Sequence, residues 1–243
     1  MEVIKLWNMH AIQRSKVVLL LLLICTGYLA RGQYNAYSFD QKYATRWLHF
    51  GIPMGYSSNN FRIKLNKKFI YNDSIRSVIS RPSPGFHVGI ITNAHLSKNL
   101  DFRFIPGLSF SGKTLEYETF YDTTFTKYIE SVNLELPFLL KFKSDPYKDM
   151  RVYVLMGMKY TYDLASNVDA RNAEDLVKIG RHDLLAEYGF GIEFYTPYVI
   201  LAPEIKISQG LINVHARDPN LQFSNVLNFL LTRVISITLN IEG

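Results

Sequence analysis

The chain is almost without cysteine: Cys25 is the only one in 243 residues, and it falls in a stretch read below as cleaved. The mature protein then has neither disulfides nor thiol chemistry, which is compatible with an oxidising periplasm. Long apolar runs are also lacking, since no segment beyond the N-terminus has the roughly 18 apolar residues of a membrane helix. Lys and Arg are not concentrated into a patch, so a nucleic-acid partner has no support. His182, Asp183 and His215 occur with serines elsewhere, but no spacing brings a nucleophile, a base and an orienting group together, and they read as surface or lumen residues. No catalytic residue, cofactor, metal or small-molecule substrate is expected.

At the N-terminus, Lys5, Arg14 and Lys16 precede an apolar run from Val17 to Ile24, and Ala30-Arg31-Gly32 places small residues at −3 and −1 of a cleavage site before Gln33. This predicts a secretory signal peptide over 1–32. The run is shorter than the ~20 residues of a signal anchor, and Ile24 occupies the place where acylation of Cys25 would want a small residue. Cleavage removes Lys5, Arg14, Lys16 and Arg31 against Glu2, which leaves +3 of the formal +6.

What the chain does have is alternation. From Tyr128 to Lys143 the even positions are Tyr, Glu, Val, Leu, Leu, Phe, Leu, Phe and the odd ones Ile, Ser, Asn, Glu, Pro, Leu, Lys, Lys. Successive strand side chains face opposite ways and a membrane strand needs about 9–11 residues, so one face suits lipid and the other a polar lumen. The same period recurs at Trp47–Ser57, Gly85–Ser97, Leu100–Ser111, Met150–Tyr162, His182–Tyr195, Tyr198–Leu211 and Val226–Ile241. The expectation is an all-β, eight-stranded antiparallel transmembrane outer-membrane β-barrel over 47–243, preceded by a periplasmic lead-in at 33–46.

Connections at Lys98-Asn99, Ser144–Asp149 and Thr196-Pro197 are short, whereas 58–84, 112–127, 163–181 and 212–225 are long. Short periplasmic turns and long extracellular loops are the rule for such barrels, so both termini are expected in the periplasm. A soluble barrel would reverse the faces. Its narrow interior would then have to hold the many Phe, Leu, Met and Tyr residues, while Gly51, Gly55, Gly89, Gly107, Gly157, Gly189 and Gly191 lay outside. Tyr56, Tyr128, Tyr160 and Tyr162 are placed for an aromatic girdle. Pro53, Pro106, Pro137 and Pro203 fall within strands, where bulges are expected to accommodate them.

The lumen face carries Arg103, Lys141, Arg151, Lys159 and Lys206 with Glu135, Glu187, Glu193 and Glu204. Buried charges must be paired or hydrated, so these predict a salt-bridged structural plug; a solute pore belongs to wider barrels. His49 and His95 are expected to face each other, two ligands where structural zinc takes four. Asp163, Asp169, Glu174 and Asp175 in the third loop read as a solvated, cation-attracting surface.

The run Ser131-Val132-Asn133-Leu134-Glu135-Leu136-Pro137-Phe138-Leu139-Leu140-Lys141 resembles the signature of the PorT-like outer-membrane β-barrel family. Glu187-Tyr188-Gly189-Phe190-Gly191, Pro197-Tyr198 and Ala202 to Leu211, with the gap before Ser224-Asn225, are similar to its type IX secretion members. The terminal Asn240-Ile241-Glu242-Gly243 departs from the aromatic ending common in outer-membrane barrels. The resemblance implies a non-enzymatic component that supports export of proteins bearing type IX C-terminal signals, and gliding where it occurs. Its implied partners are outer-membrane lipid and other type IX components, the translocon among them. A generic structural barrel and a lipid-modifying enzyme are the alternatives.

Overall fold

The computed structural model describes residues 46–65, 75–119, 123–166, 179–216 and 227–243. The expectations for the signal peptide, for 33–45 of the lead-in and for Asp169, Glu174 and Asp175 lie outside these residues. Among the described residues there is no helix. The chain forms eleven antiparallel strands: β1 Leu48–Leu65, β2 Ile75–Arg81, β3 Ser83–Gly89, β4 Ile91–Ser97, β5 Leu100–Phe104, β6 Gly107–Thr119, β7 Thr124–Lys143, β8 Met150–Asp163, β9 His182–Tyr195, β10 Ile200–Gly210 and β11 Leu227–Glu242.

Pairing follows chain order. β7 pairs with β8, β8 with β9, β9 with β10 and β10 with β11. β11 pairs in turn with β1, from Gly51↔Glu242 to Lys64↔Phe229. The other edge of β1 is bonded to β3 and β4, which meet β6 and β5, and both of these meet β7.

Eleven strands stand where eight were expected, and prolines account for two of the divisions. Met54↔Val88 and Gly51↔Ile91 lie on one register, as do Gly89↔Gly107 and Thr92↔Phe104. β3–β4 and β5–β6 are thus two continuous paths, interrupted at Ile90 and at Ile105-Pro106 where Pro53, Pro106 and Pro137 supply no N–H. The ladder is bridged there by single bonds, Ile90 N to Pro106 O at 2.9 Å and Ile105 N to Pro137 O at 3.2 Å. The expected bulges are not at the prolines. Pro53↔Asn240, Pro137↔Lys159 and Pro203↔Leu239 are in unbroken register, and the shifts fall at Lys64/Leu65, Ile75/Ser77 and His95/Ser97. Each proline forgoes one ladder bond and leaves the facing of every later side chain unchanged.

The third difference is length. β1, β6 and β7 run on into the stretches expected as the first two long loops, and β2 forms there by pairing Arg81↔Thr114 through Ile75↔Thr119.

Candidate functional site: the interior of the barrel

Burial is inverted relative to a soluble protein. Phe50, Ile52, Met54, Tyr56, Phe86, Val152, Val154, Met156, Phe190 and Ile237 are exposed, while Arg103 and Lys141 are completely buried. Trp47, Tyr147 and Tyr198 stand exposed at the end with the short turns, and Tyr56, Tyr128 and Tyr188 nearer the other end of the apolar belt. Such belts, flanked by aromatic girdles, are the outer surface of membrane barrels.

The strand period places the interior side chains. Arg103 on β5 donates to Glu204 on β10 at 3.2 Å, to Glu242 on β11 at 2.6 Å and to Asn93 on β4 at 3.2 Å. Glu204 also accepts from the Tyr153 hydroxyl at 2.7 Å and from Asn240 at 3.2 Å. Lys141 pairs with Glu193 and lies 4.2 Å from the centroid of the Tyr153 ring. Tyr195 donates to Glu193 at 2.5 Å. One layer further from the short turns, Lys159 bridges Glu135 and Glu187 at 3.2 Å each, and Lys206 bridges Glu187 and Glu204 at 3.3 Å each. Arg103, Lys141, Lys159, Lys206, Glu135, Glu187, Glu193 and Glu204, all singled out from sequence, are thus joined in ion pairs, and Arg151 donates to the Lys98 carbonyl at 3.3 Å.

Five interior members, Glu242, Asp101, Lys143, His49 and His95, were not in that set. Glu242 is held by Arg103 and by His49 at 2.7 Å, and Asp101 by Lys143 at 2.8 Å and His95 at 2.6 Å. Extending the period by one residue past Ile241 would have found Glu242. His49 and His95 do face one another, their ring centroids 5.0 Å apart, each turned to its own carboxylate. Among the described residues no group of three or more His, Cys, Asp and Glu side chains could hold a metal. His182 is exposed with its Nδ1 2.6 Å from the Tyr160 hydroxyl, whereas Asp183 is buried on the opposite face and His215 is buried beside Ile179. His182 and Asp183 thus lie on opposite faces of β9.

Glycine makes room for this interior. Gly191 registers with Tyr153, and a Cβ there would lie 2.4 Å from the Tyr153 hydroxyl, so the tyrosine reaches Glu204 only because position 191 has no side chain.

The two ends differ. At the short-turn end a cavity of ≈ 290 Å³ opens between His49, His95, Lys98, Lys143, Arg151 and Glu193. On the rim Lys98 at 2.9 Å and Asn99 hold the exposed Asp145 carboxyl below the usual carboxylate range. Towards the long connections the space shrinks to ≈ 30 Å³ among Ser111, Lys113, Asn133, Asp163, Asp183 and Thr232, room for on the order of two waters. Above it the interior turns apolar: Phe61, Leu115, Tyr117, Ile129 and Leu230 meet Ile179 and Val214 from the connections after β8 and β10. Backbone bonds tie this cap, Gly180 N to Val214 O at 2.8 Å and Val214 N to Leu230 O at 3.0 Å. Burial there pushes the Tyr117 phenol upward.

Hydrophobes outside and ion pairs within define an integral outer-membrane β-sheet protein. Residues 33–216 match the outer membrane protein beta-barrel domain, and the chain belongs to that family as a protein of the outer membrane. Among solved structures it is similar to the outer membrane protein OprG from Pseudomonas aeruginosa, at 13% identity and a TM-score of 0.44, over 81% of this chain and 94% of that one. No curated protein matches.

Proposed function

We propose that the chain is a closed barrel of eight staves acting as a non-enzymatic accessory of type IX secretion, PorT-like in role, with a cleaved signal peptide and both termini in the periplasm. The eight staves are β1, β2–β4, β5–β6 and the single strands β7 to β11. The secretion assignment rests on the resemblance carried by Ser131–Lys141 in β7 and by 187–211 in β9 and β10. The mode of action rests on the interior, because an ion-paired core around Arg103 and Lys141 beneath an apolar cap leaves no bore for a polypeptide. A barrel so filled works by what its ends and outer wall touch, as a scaffold for the translocon rather than a conduit.

Deleting the gene tests this. Cargo should remain in the periplasm with its C-terminal signal uncleaved, while unrelated outer-membrane proteins assemble normally. Normal cargo secretion in the deletion strain would leave only the generic structural barrel.

A further inference from the structure

The outer wall carries one feature that neither the belt nor the interior uses. Along β1 the outward positions are Phe50, Ile52, Met54 and Tyr56, then Ser58, Asn60, Arg62 and Lys64; along the facing β11 they are Ile241, Leu239, Ile237 and Ile235, then Arg233, Leu231 and Phe229. Arg62 registers with Leu231, Lys64 with Phe229 and Asn60 with Arg233. Three cations therefore share one outward patch at the edge of the apolar belt, on the side of the long connections. Among the described residues none of the three has a carboxylate partner; the Lys64 ammonium lies 5.8 Å from the centroid of the Phe229 ring. Arg62, Ile63, Lys64, Phe229 and Leu231 line a groove of ≈ 450 Å³. By contrast Arg81, on the same side of the molecule, is paired with Glu116 at 2.8 Å.

We propose that this groove binds a phosphorylated glycolipid of the outer leaflet, with an acyl chain along Leu231 and Phe229 and a phosphate between Arg62, Lys64 and Arg233. Two arguments favour a lipid. The patch is continuous with the surface that lipid already covers, and long cationic side chains at such a boundary lay their stems on apolar surface and hold their charges at headgroup level. Guanidinium groups match phosphate geometry. Placement in the outer leaflet rests on the orientation proposed above.

Native mass spectrometry of the full mature protein in detergent would test this, with phosphorylated lipid A, dephosphorylated lipid A, phosphatidylglycerol and inorganic phosphate as separate probes. Phosphorylated lipid A should be retained, and R62Q/K64Q/R233Q should weaken its binding by about tenfold or more, while R81Q binds as wild type does. The heat-modifiable gel shift of the triple variant reports that the barrel still forms. Equal retention of the dephosphorylated form, equal binding by the triple variant, or a preference for phosphatidylglycerol or free phosphate would each overturn the proposal. So would crosslinks from position 233 in cells that capture protein and no lipid. Binding in detergent does not depend on orientation, and orientation is read by labelling intact cells, so either idea can fail alone.

Discussion

The short-turn half of the interior and its long-connection end solve the same packing problem with opposite chemistry. Near the short turns Arg103, Lys141, Lys143, Glu193, Glu204 and Glu242 fill the space with charge, each held by partners on other strands. At the other end Phe61, Leu115, Tyr117, Ile129 and Leu230 fill it with hydrocarbon. The difference follows from what lies outside. Within the belt both the lipid face and the ladders are fixed, so the interior must be narrow, and pairs across it lock non-adjacent strands to one another. Beyond the belt, residues from connections can fold inward, and water as the outer solvent restores the ordinary reason to bury apolar side chains. Charge pairs depend on complete partner sets, whereas an apolar cluster tolerates partial loss.

The largest expected effect is at Arg103. Arg103→Ala leaves Glu204 and Glu242 buried without their guanidinium, and breaking a buried pair in this way costs about 3–5 kcal/mol. Urea unfolding in detergent, followed by heat-modifiable gel migration, should show this loss, and Arg103→Ala combined with Glu204→Gln and Glu242→Gln should recover part of it. A single variant as stable as Arg81→Ala would mean that the charged half is not a core.

Leu115→Ala probes the other end. Truncating a fully buried leucine costs about 2–4 kcal/mol where a cavity remains, and here the loss should be local. Hydrogen exchange at Gly180 and Val214 should accelerate while amides of β5 and β9 keep their protection. Exchange that rises equally in both halves would show that cap and charged core are one cooperative unit.

Which of these regions the sequence reveals depends on the range of the interaction. The facing of Phe50, Met54, Phe190 or Glu187 is set by a period of two that the backbone imposes on every strand, so each is readable alone. The choice of partners is not: Arg103 and Glu242 lie 139 residues apart and meet only once the strand order and register are fixed. The cap hides for a different reason. Phe61, Leu115 and Ile129 keep the inward parity of Ser57, Ser111 and Lys141; Ile129 is legible on the lumen face, but beyond the belt the chemistry of that face inverts, so Phe61 and Leu115 fall in stretches expected as loops. β2 is hidden as well, because Ser77-Val78-Ile79-Ser80 is too short and mixed to stand out until β6 offers it an edge.

A smaller effect separates geometry from charge within the charged half. Tyr153→Phe removes only a hydroxyl, and Glu204 retains Arg103, Asn240 and Lys206. The expected cost is about 1–2 kcal/mol, that of one hydrogen bond to a charged group whose acceptor remains served. Gly191→Ala, which crowds the same hydroxyl, should match or exceed it in the same unfolding assay. If Gly191→Ala were neutral, the close approach of Tyr153 to position 191 would not be what positions the ring.

The smallest perturbation decides which end is which. Leu164, in the turn after β8, and Tyr198, in the turn between β9 and β10, are both exposed, and a cysteine at either position should leave stability within about 0.5 kcal/mol. Cys25 is the one cysteine of the given chain and lies in the segment proposed to be cleaved, so each variant would carry a single thiol after that cleavage. On intact cells a membrane-impermeant maleimide should label Leu164→Cys and not Tyr198→Cys, and both should react once the outer membrane is permeabilised. The capped end would then face the medium, where an apolar closure keeps solutes from the charged interior, and the ≈ 290 Å³ opening at the short turns would face the periplasm. Labelling of Tyr198→Cys alone on intact cells would reverse this assignment and place the open, charged end outside the cell.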